Sequence, residues 1–161
     1  MEIYLLRHGI AEDAAPGKPD SDRALTAAGR EKLRRVLARA RAAKVKPDLI
    51  LSSPYSRAVQ TAEVAAEALG YRDPIVQTPT LLPEADPHDT WDEIRAHKSE
   101  NSLLLASHEP LMSSLLAYLL ATPTLAVDFK KAGLVRLDCE RLGPEPHGTF
   151  KWMLTPATAG E

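Results

Sequence analysis

At 161 residues and 44% hydrophobic content, the chain is long enough for one domain with a sizeable core and too short for two. Its formal net charge of -2 gives no overall electrostatic pull toward nucleic acid or anionic lipid, so any anion binding has to be local. A single cysteine, Cys139, excludes an internal disulfide framework and a cysteine-rich metal site; with no run near the roughly 20 apolar residues of a membrane span and no signal-like leader in MEIYLLRHG, a cytoplasmic protein is expected.

The first predicted element is a strand over Ile3 to Leu6, an apolar run that stops abruptly on Arg7, His8 and Gly9. Side chains alternate along a strand, so Arg7 and His8 can address one ligand only if the strand has ended there, and Gly9 permits the sharp turn or close backbone approach that this requires. The stretch from Ala11 to Asp22, AEDAAPGKPDSD, has no apolar period and reads as an exposed, mobile loop bordering whatever Arg7 and His8 face. A helix follows over Thr26 to Ala43, with Leu33, Val36, Leu37 and Ala40 at core spacing. Its Arg30, Lys32, Arg34, Arg35, Arg39 and Arg41 read as a solvated face in preference to a docking surface.

The second strand, Leu49 to Leu51, ends in Ser52-Ser53-Pro54, where Ser53 is expected to cap and Pro54 to open a helix running through Tyr55 to Leu69. A third strand at Ile75 to Gln77 and a helix over roughly His88 to Lys98 precede a fourth strand, Ser102 to Ala106, which ends in Ser107-His108. A helix at Leu111 to Leu120 and strands at Gly133 to Leu137 and Thr149 to Leu154 complete the pattern, and the tail after Pro156 is expected to fray. Cys139 reads as a packed strand residue. The alternation predicts an α/β fold: a single-domain, mostly parallel sheet with helices on both faces and an antiparallel edge formed by the last two strands.

Ligands of open α/β sheets bind beyond the carboxyl ends of the strands, which here carry Arg7-His8-Gly9, Ser52-Ser53-Pro54 and Ser107-His108. Arg57, one turn into the second helix, leans back toward the same edge, where the helix N-terminus adds partial positive charge. Two arginines with a helix terminus suit a phosphoryl group, which accepts several fork-like hydrogen bonds. His8 then reads as a nucleophile, its other ring nitrogen donating to a backbone carbonyl and nearby arginines holding it neutral; His108 reads as a donor to the phosphoryl oxygens. A metal site is the competing use of two histidines, but HExxH and CxxC are absent and arginines flank each candidate ligand. P-loop, dinucleotide-binding and GxSxG patterns are absent as well, and neither metal nor cofactor is expected.

The pieces LRHG (Leu6 to Gly9), LTxxG (Leu25, Thr26, Gly29), SSPxxRAxQTA (Ser52 to Ala62) and the late His108 resemble the histidine phosphatase superfamily, which shares its fold with cofactor-dependent phosphoglycerate mutases. The resemblance implies a histidine phosphatase domain over residues 1–156 with a tail at 157–161, transient phosphorylation of His8, and a phosphate pocket of Arg7, Arg57 and His108. Glu84, in LLPEADP, stands near where the superfamily often places its acid, with Asp86 beside it. Ser107 replaces the glycine often found before the late histidine and adds a hydroxyl donor. Between the third and fourth strands only Thr78 to Glu100 is available, too little for the long lid of the mutases, so the site is expected to be open and shallow. That brevity looks most like SixA-type phosphohistidine phosphatases and implies a phosphorylated protein, such as a histidine phosphotransfer domain, as partner. A small-molecule phosphate monoesterase and a non-catalytic phosphoprotein-binding module remain the alternatives, and the oligomeric state is open.

Overall fold

The computed structural model describes residues 1–160. In chain order the elements are β1 (Glu2–Arg7), α1 (Ala27–Ala42), β2 (Leu49–Ser52), α2 (Ser56–Leu69), β3 (Val76–Gln77), α3 (Pro87–Ala96), β4 (Ser102–Ser107), α4 (Leu111–Leu119), β5 (Leu134–Asp138), β6 (Thr149–Leu154) and α5 (Pro156–Ala159), with 3-10 turns at Asp20–Asp22 and Pro79–Leu81. The strands form one sheet in the order β3-β2-β4-β1-β5-β6. Strands β1 to β4 are parallel neighbours, whereas β5 runs antiparallel to β1 and to β6, as the edge pattern predicts.

The two-residue alternation of β1 sorts the core into two layers. Tyr4 and Leu6 point into a cluster with Leu33, Val36 and Leu37 of α1 and with Ala62 and Ala65 of α2. Ile3 and Leu5 point the other way, toward Trp91 and Ile94 of α3 and Leu111, Leu115 and Leu119 of α4. Because β1 and β4 are covered on both faces, their residues are buried almost without interruption, which is why they read as continuous apolar runs. Cys139, buried just past β5, has its thiol pushed up to about 11 by burial.

Two expectations are corrected. Helix α2 begins at Ser56 with Tyr55 as its N-cap, not at Pro54, because Ser53 N donates to Ala106 O and keeps the chain in sheet register for one more residue. The segment after Pro156 is a docked turn: Thr155 and Thr158 form a capping box, Arg39 Nε donates to Ala159 O, and Ala159 is buried against α1. Glu161, the last residue of that predicted frayed tail, lies outside the described residues.

Candidate active site

The site forms where β1, β2 and β4 end. β1 stops at Arg7; His8 N still donates to Ser107 O and keeps the backbone in register with β4 for one more residue, so Arg7 and His8 sit where the strand gives way to the turn. Of the two uses expected of Gly9, a sharp turn or a close backbone approach, the structure shows the second: a Cβ there would meet Leu33 Cδ1 at 2.8 Å and Gly29 O at 3.1 Å. The glycine lets α1 press against the chain, and no positive φ is involved.

The LTxxG segment supplies the other half of that contact. Thr26 N donates to Ile10 O, Thr26 Oγ1 accepts from Gly29 N, and a Cβ on Gly29 would land on the Ile10 carbonyl. The glutamine and threonine of SSPxxRAxQTA are used in the same way: Leu25 N donates to Gln60 Oε1 and Gly9 N donates to Thr61 Oγ1. The two motifs thus clamp α1 and α2 onto the strand end that carries His8.

His8 is 7% exposed, and its Nδ1 donates to Gly9 O at 2.7 Å. That bond fixes the tautomer and leaves the Nε2 lone pair facing Arg57, whose Nε approaches it at 3.4 Å. Burial lowers the His8 pKa to about 4; the Gly9 contact opposes the shift, and the Arg57, Arg7 and Lys131 charges add to it. The ring is therefore neutral at neutral pH, with burial and not the arginines as the main cause. His108 is held to about 3, again by burial first, with His8 and Arg57 contributing.

Its ring lies 5.1 Å from that of His8, centroid to centroid, and its Nε2 is 2.8 Å from Ser53 Oγ, while its Nδ1 is buried without a hydrogen-bond partner. Tyr55 meets the other side of His108 edge-on at 5.2 Å and stacks under the Arg57 guanidinium. Arg57 is 5% exposed in the first turn of α2. Arg7 donates from Nη1 to Phe129 O at 2.6 Å, and its Nε is shielded from solvent without a partner. Arg7, His8, Arg57 and His108 thus converge; with two guanidinium groups and a neutral imidazole nitrogen, they suit a tetrahedral oxyanion with a nucleophile beneath it.

Glu84 is on the exposed turn before α3 and makes no hydrogen bond to this group. Its segment is nevertheless tied to the site, because Ser107 Oγ donates to Leu81 O at 2.6 Å. The Ser107 hydroxyl is therefore spent on that loop and is not a donor to the ligand edge. Asp86 caps α3, its Oδ1 accepting from His88 N.

Asp20, absent from the sequence-derived set, enters the site through the 3-10 turn at Asp20–Asp22. Its carbonyl and its Oδ2 accept from Arg57 at 2.8 and 3.1 Å, and Arg23 Nε donates to its Oδ1. Desolvation opposes ionisation of this carboxyl, but Arg23 and Arg57 hold it below the ordinary aspartate value. The predicted mobile loop is thereby pinned to the pocket. Its only sequence signal is an aspartate three residues before Arg23, just upstream of LTxxG.

Residues 3–83 match the model of the histidine phosphatase superfamily, branch 1. The phosphohistidine phosphatase SixA of Escherichia coli (strain K12) is 30% identical over 158 residues, covering 97% of this chain and 94% of that protein. The solved structure of the protein histidine phosphatase SixA complexed with tungstate superposes with a TM-score of 0.84 at 28% identity, over 98% of each chain. A putative phosphohistidine phosphatase SixA from Agrobacterium tumefaciens superposes at 0.81 with 30% identity, over 96% of this chain and 97% of that one.

Proposed function

Because the chain belongs to branch 1 of the histidine phosphatase superfamily, we propose that it removes the phosphoryl group from phosphohistidine on a protein by way of phospho-His8. One observation carries the reaction: a buried, neutral His8 whose Nδ1 is committed to Gly9 O, leaving an unprotonated Nε2 that accepts only a long 3.4 Å hydrogen bond from Arg57 Nε. In the first step Nε2 attacks phosphorus and the bond from phosphorus to the substrate imidazole breaks, with that imidazole taking up a proton from solvent. In the second, water attacks phospho-His8, releasing inorganic phosphate and restoring the ring. Arg7, Arg57 and His108 hold the phosphoryl oxygens and stabilise the charge that develops on them.

The substrate class rests on two supports. SixA of E. coli, a phosphohistidine phosphatase by name, matches nearly end to end. Between β3 and β4 the chain forms only the turn at Pro79–Leu81 and helix α3, whose Trp91 and Ile94 are fully buried in the core, so α3 is not available as a lid. Without a helical lid over it, the phosphoryl pocket can be approached by a protein surface.

The test is a rapid-quench reaction with phosphorylated histidine phosphotransfer domains and a metabolite phosphate panel, using a quench that preserves phosphohistidine. Phosphate trapped on His8, no release by His8→Ala, unchanged turnover with chelator, and a higher kcat/KM for the protein substrates are expected. Full turnover by His8→Ala would overturn the mechanism; higher kcat/KM for a metabolite would overturn the substrate class.

Glu84 is the proposed proton donor where the leaving group needs one. General acids contribute about 10²–10⁴-fold, and most for poor leaving groups. Glu84→Gln is therefore expected to slow an alkyl phosphate strongly while leaving phosphohistidine, whose imidazole departs readily, nearly unchanged. Equal effects on both would remove Glu84 from this role.

A further inference from the structure

A cleft of about 1030 Å³ opens beside the phosphoryl pocket and shares Arg7 with it. One wall is α1, through Lys32 and Arg35; the other is the segment entering β5, through Asp128, Lys130 and Lys131. Five cationic side chains thus face the cleft against one carboxylate, in a protein whose net charge is -2. Asp128 is already paired with Lys130 at 2.7 Å. Among the described residues Lys32, Arg35 and Lys131 have no ion-pair partner, and Arg35 Nε is shielded from solvent without a hydrogen bond. Such a concentration of like charge gives the cleft a positive local potential that attracts anions.

The cleft is continuous with the chemistry. Ala132 N donates to the carbonyls of Arg7 and His8, Arg7 donates to Phe129 O, and Lys131 is close enough to lower the His8 pKa. A chain whose phosphorylated residue reached His8 would therefore extend over these lysines. The volume far exceeds a single phosphate, and Lys130 and Lys131 are exposed along an open rim, an arrangement suited to several dispersed carboxylates on a flexible or helical surface.

We infer that this cleft is a docking site for an acidic stretch of the substrate protein flanking its phosphohistidine. The inference rests on the protein-phosphatase reading above and adds a basis for choosing among phosphoproteins.

The test uses fluorescently labelled peptides bearing a non-hydrolysable phosphonotriazole analogue of phosphohistidine, flanked either by glutamates or by glutamines. Binding is measured by anisotropy for the wild type and for a Lys32→Gln/Arg35→Gln/Lys130→Gln variant, whose fold is checked by melting and by turnover of an aryl phosphate. The wild type is expected to prefer the acidic peptide by roughly tenfold at low salt, as several partly exposed charge pairs together supply. That preference should fall to about twofold or less in the variant and at high salt, with the glutamine peptide bound equally by both proteins. Equal binding of the two peptides by the wild type would overturn the inference and leave the proposed function standing. Binding of orthovanadate but of neither peptide would overturn both. A preference for a sugar bisphosphate over the monophosphate, lost in the same variant while the peptides are not distinguished, would assign the cleft to a metabolite instead.

Discussion

His8 owes its reactivity to a single backbone carbonyl and to burial. The Gly9 carbonyl chooses the tautomer, and the enclosed environment keeps the ring uncharged where an ordinary histidine would be partly protonated. Ring nitrogen shifts measured by NMR across the acid range should therefore place the His8 midpoint near 4, far below 6.5, with Nδ1 carrying the proton above it. A midpoint near the ordinary value would show that the site is wetter than its geometry indicates. The four converging residues are legible in the sequence because each ends a strand or opens a helix, positions that pattern alone can locate. Asp20 and Ser53 are not: their roles depend on which groups the fold brings opposite them, Arg57 for one and His108 for the other. Ser53 was expected to cap a helix; its hydroxyl accepts from Tyr55 N at 3.3 Å and faces His108 instead.

At the scale of elements, the motif glycines do more for helix packing than for turns. Gly29 in the first turn of α1 rests on the Ile10 carbonyl, so α1 can approach β1 only with no side chain there. Gly29→Ala drives a methyl group into backbone that cannot move aside, and a cost of about 3 kcal/mol is expected, at the upper end of overpacking penalties. Urea denaturation would measure it, and a parallel loss of activity is expected because Ile10 continues directly from His8 and Gly9. The six strands and helices α1 to α4 are legible from apolar period, with β6 matching its predicted limits, Thr149 and Leu154, whereas α5 is not. Boundaries are less so where tertiary contacts decide them: β3 shortens to Val76–Gln77 at the sheet edge, and the last turn forms because Arg39 on α1 reaches Ala159. Neither contact has a local signature.

For the whole molecule, two buried neutral histidines impose a cost in acid. The folded pKa values of His8 and His108 lie below the unfolded value of 6.5, so the unfolded chain binds more protons in the window between. Stability contributed by keeping these rings neutral is full above about pH 6.5 and is lost as pH falls toward about 4 for His8 and about 3 for His108. Calorimetric melting over that range should show a steady fall, and a His8→Gln variant should show a shallower one. An identical slope would mean that other groups govern acid stability.

The antiparallel course of β5 has a consequence for how such a protein can change. Parallel strands deliver only their carboxyl ends to the ligand edge, and here those ends are occupied by Arg7, His8, Ser53 and His108. Because β5 runs the other way, it contributes the segment that enters it, Phe129 to Gly133, to the same edge. Reaction chemistry is thus written on the ends of parallel strands, and one wall of the partner cleft on the segment that enters an antiparallel one. Substitutions at Lys130, and at Lys32 and Arg35 on the facing wall, can drift while the phosphoryl machinery stays fixed, so one catalytic apparatus can be redirected from partner to partner by revising the walls of the cleft alone.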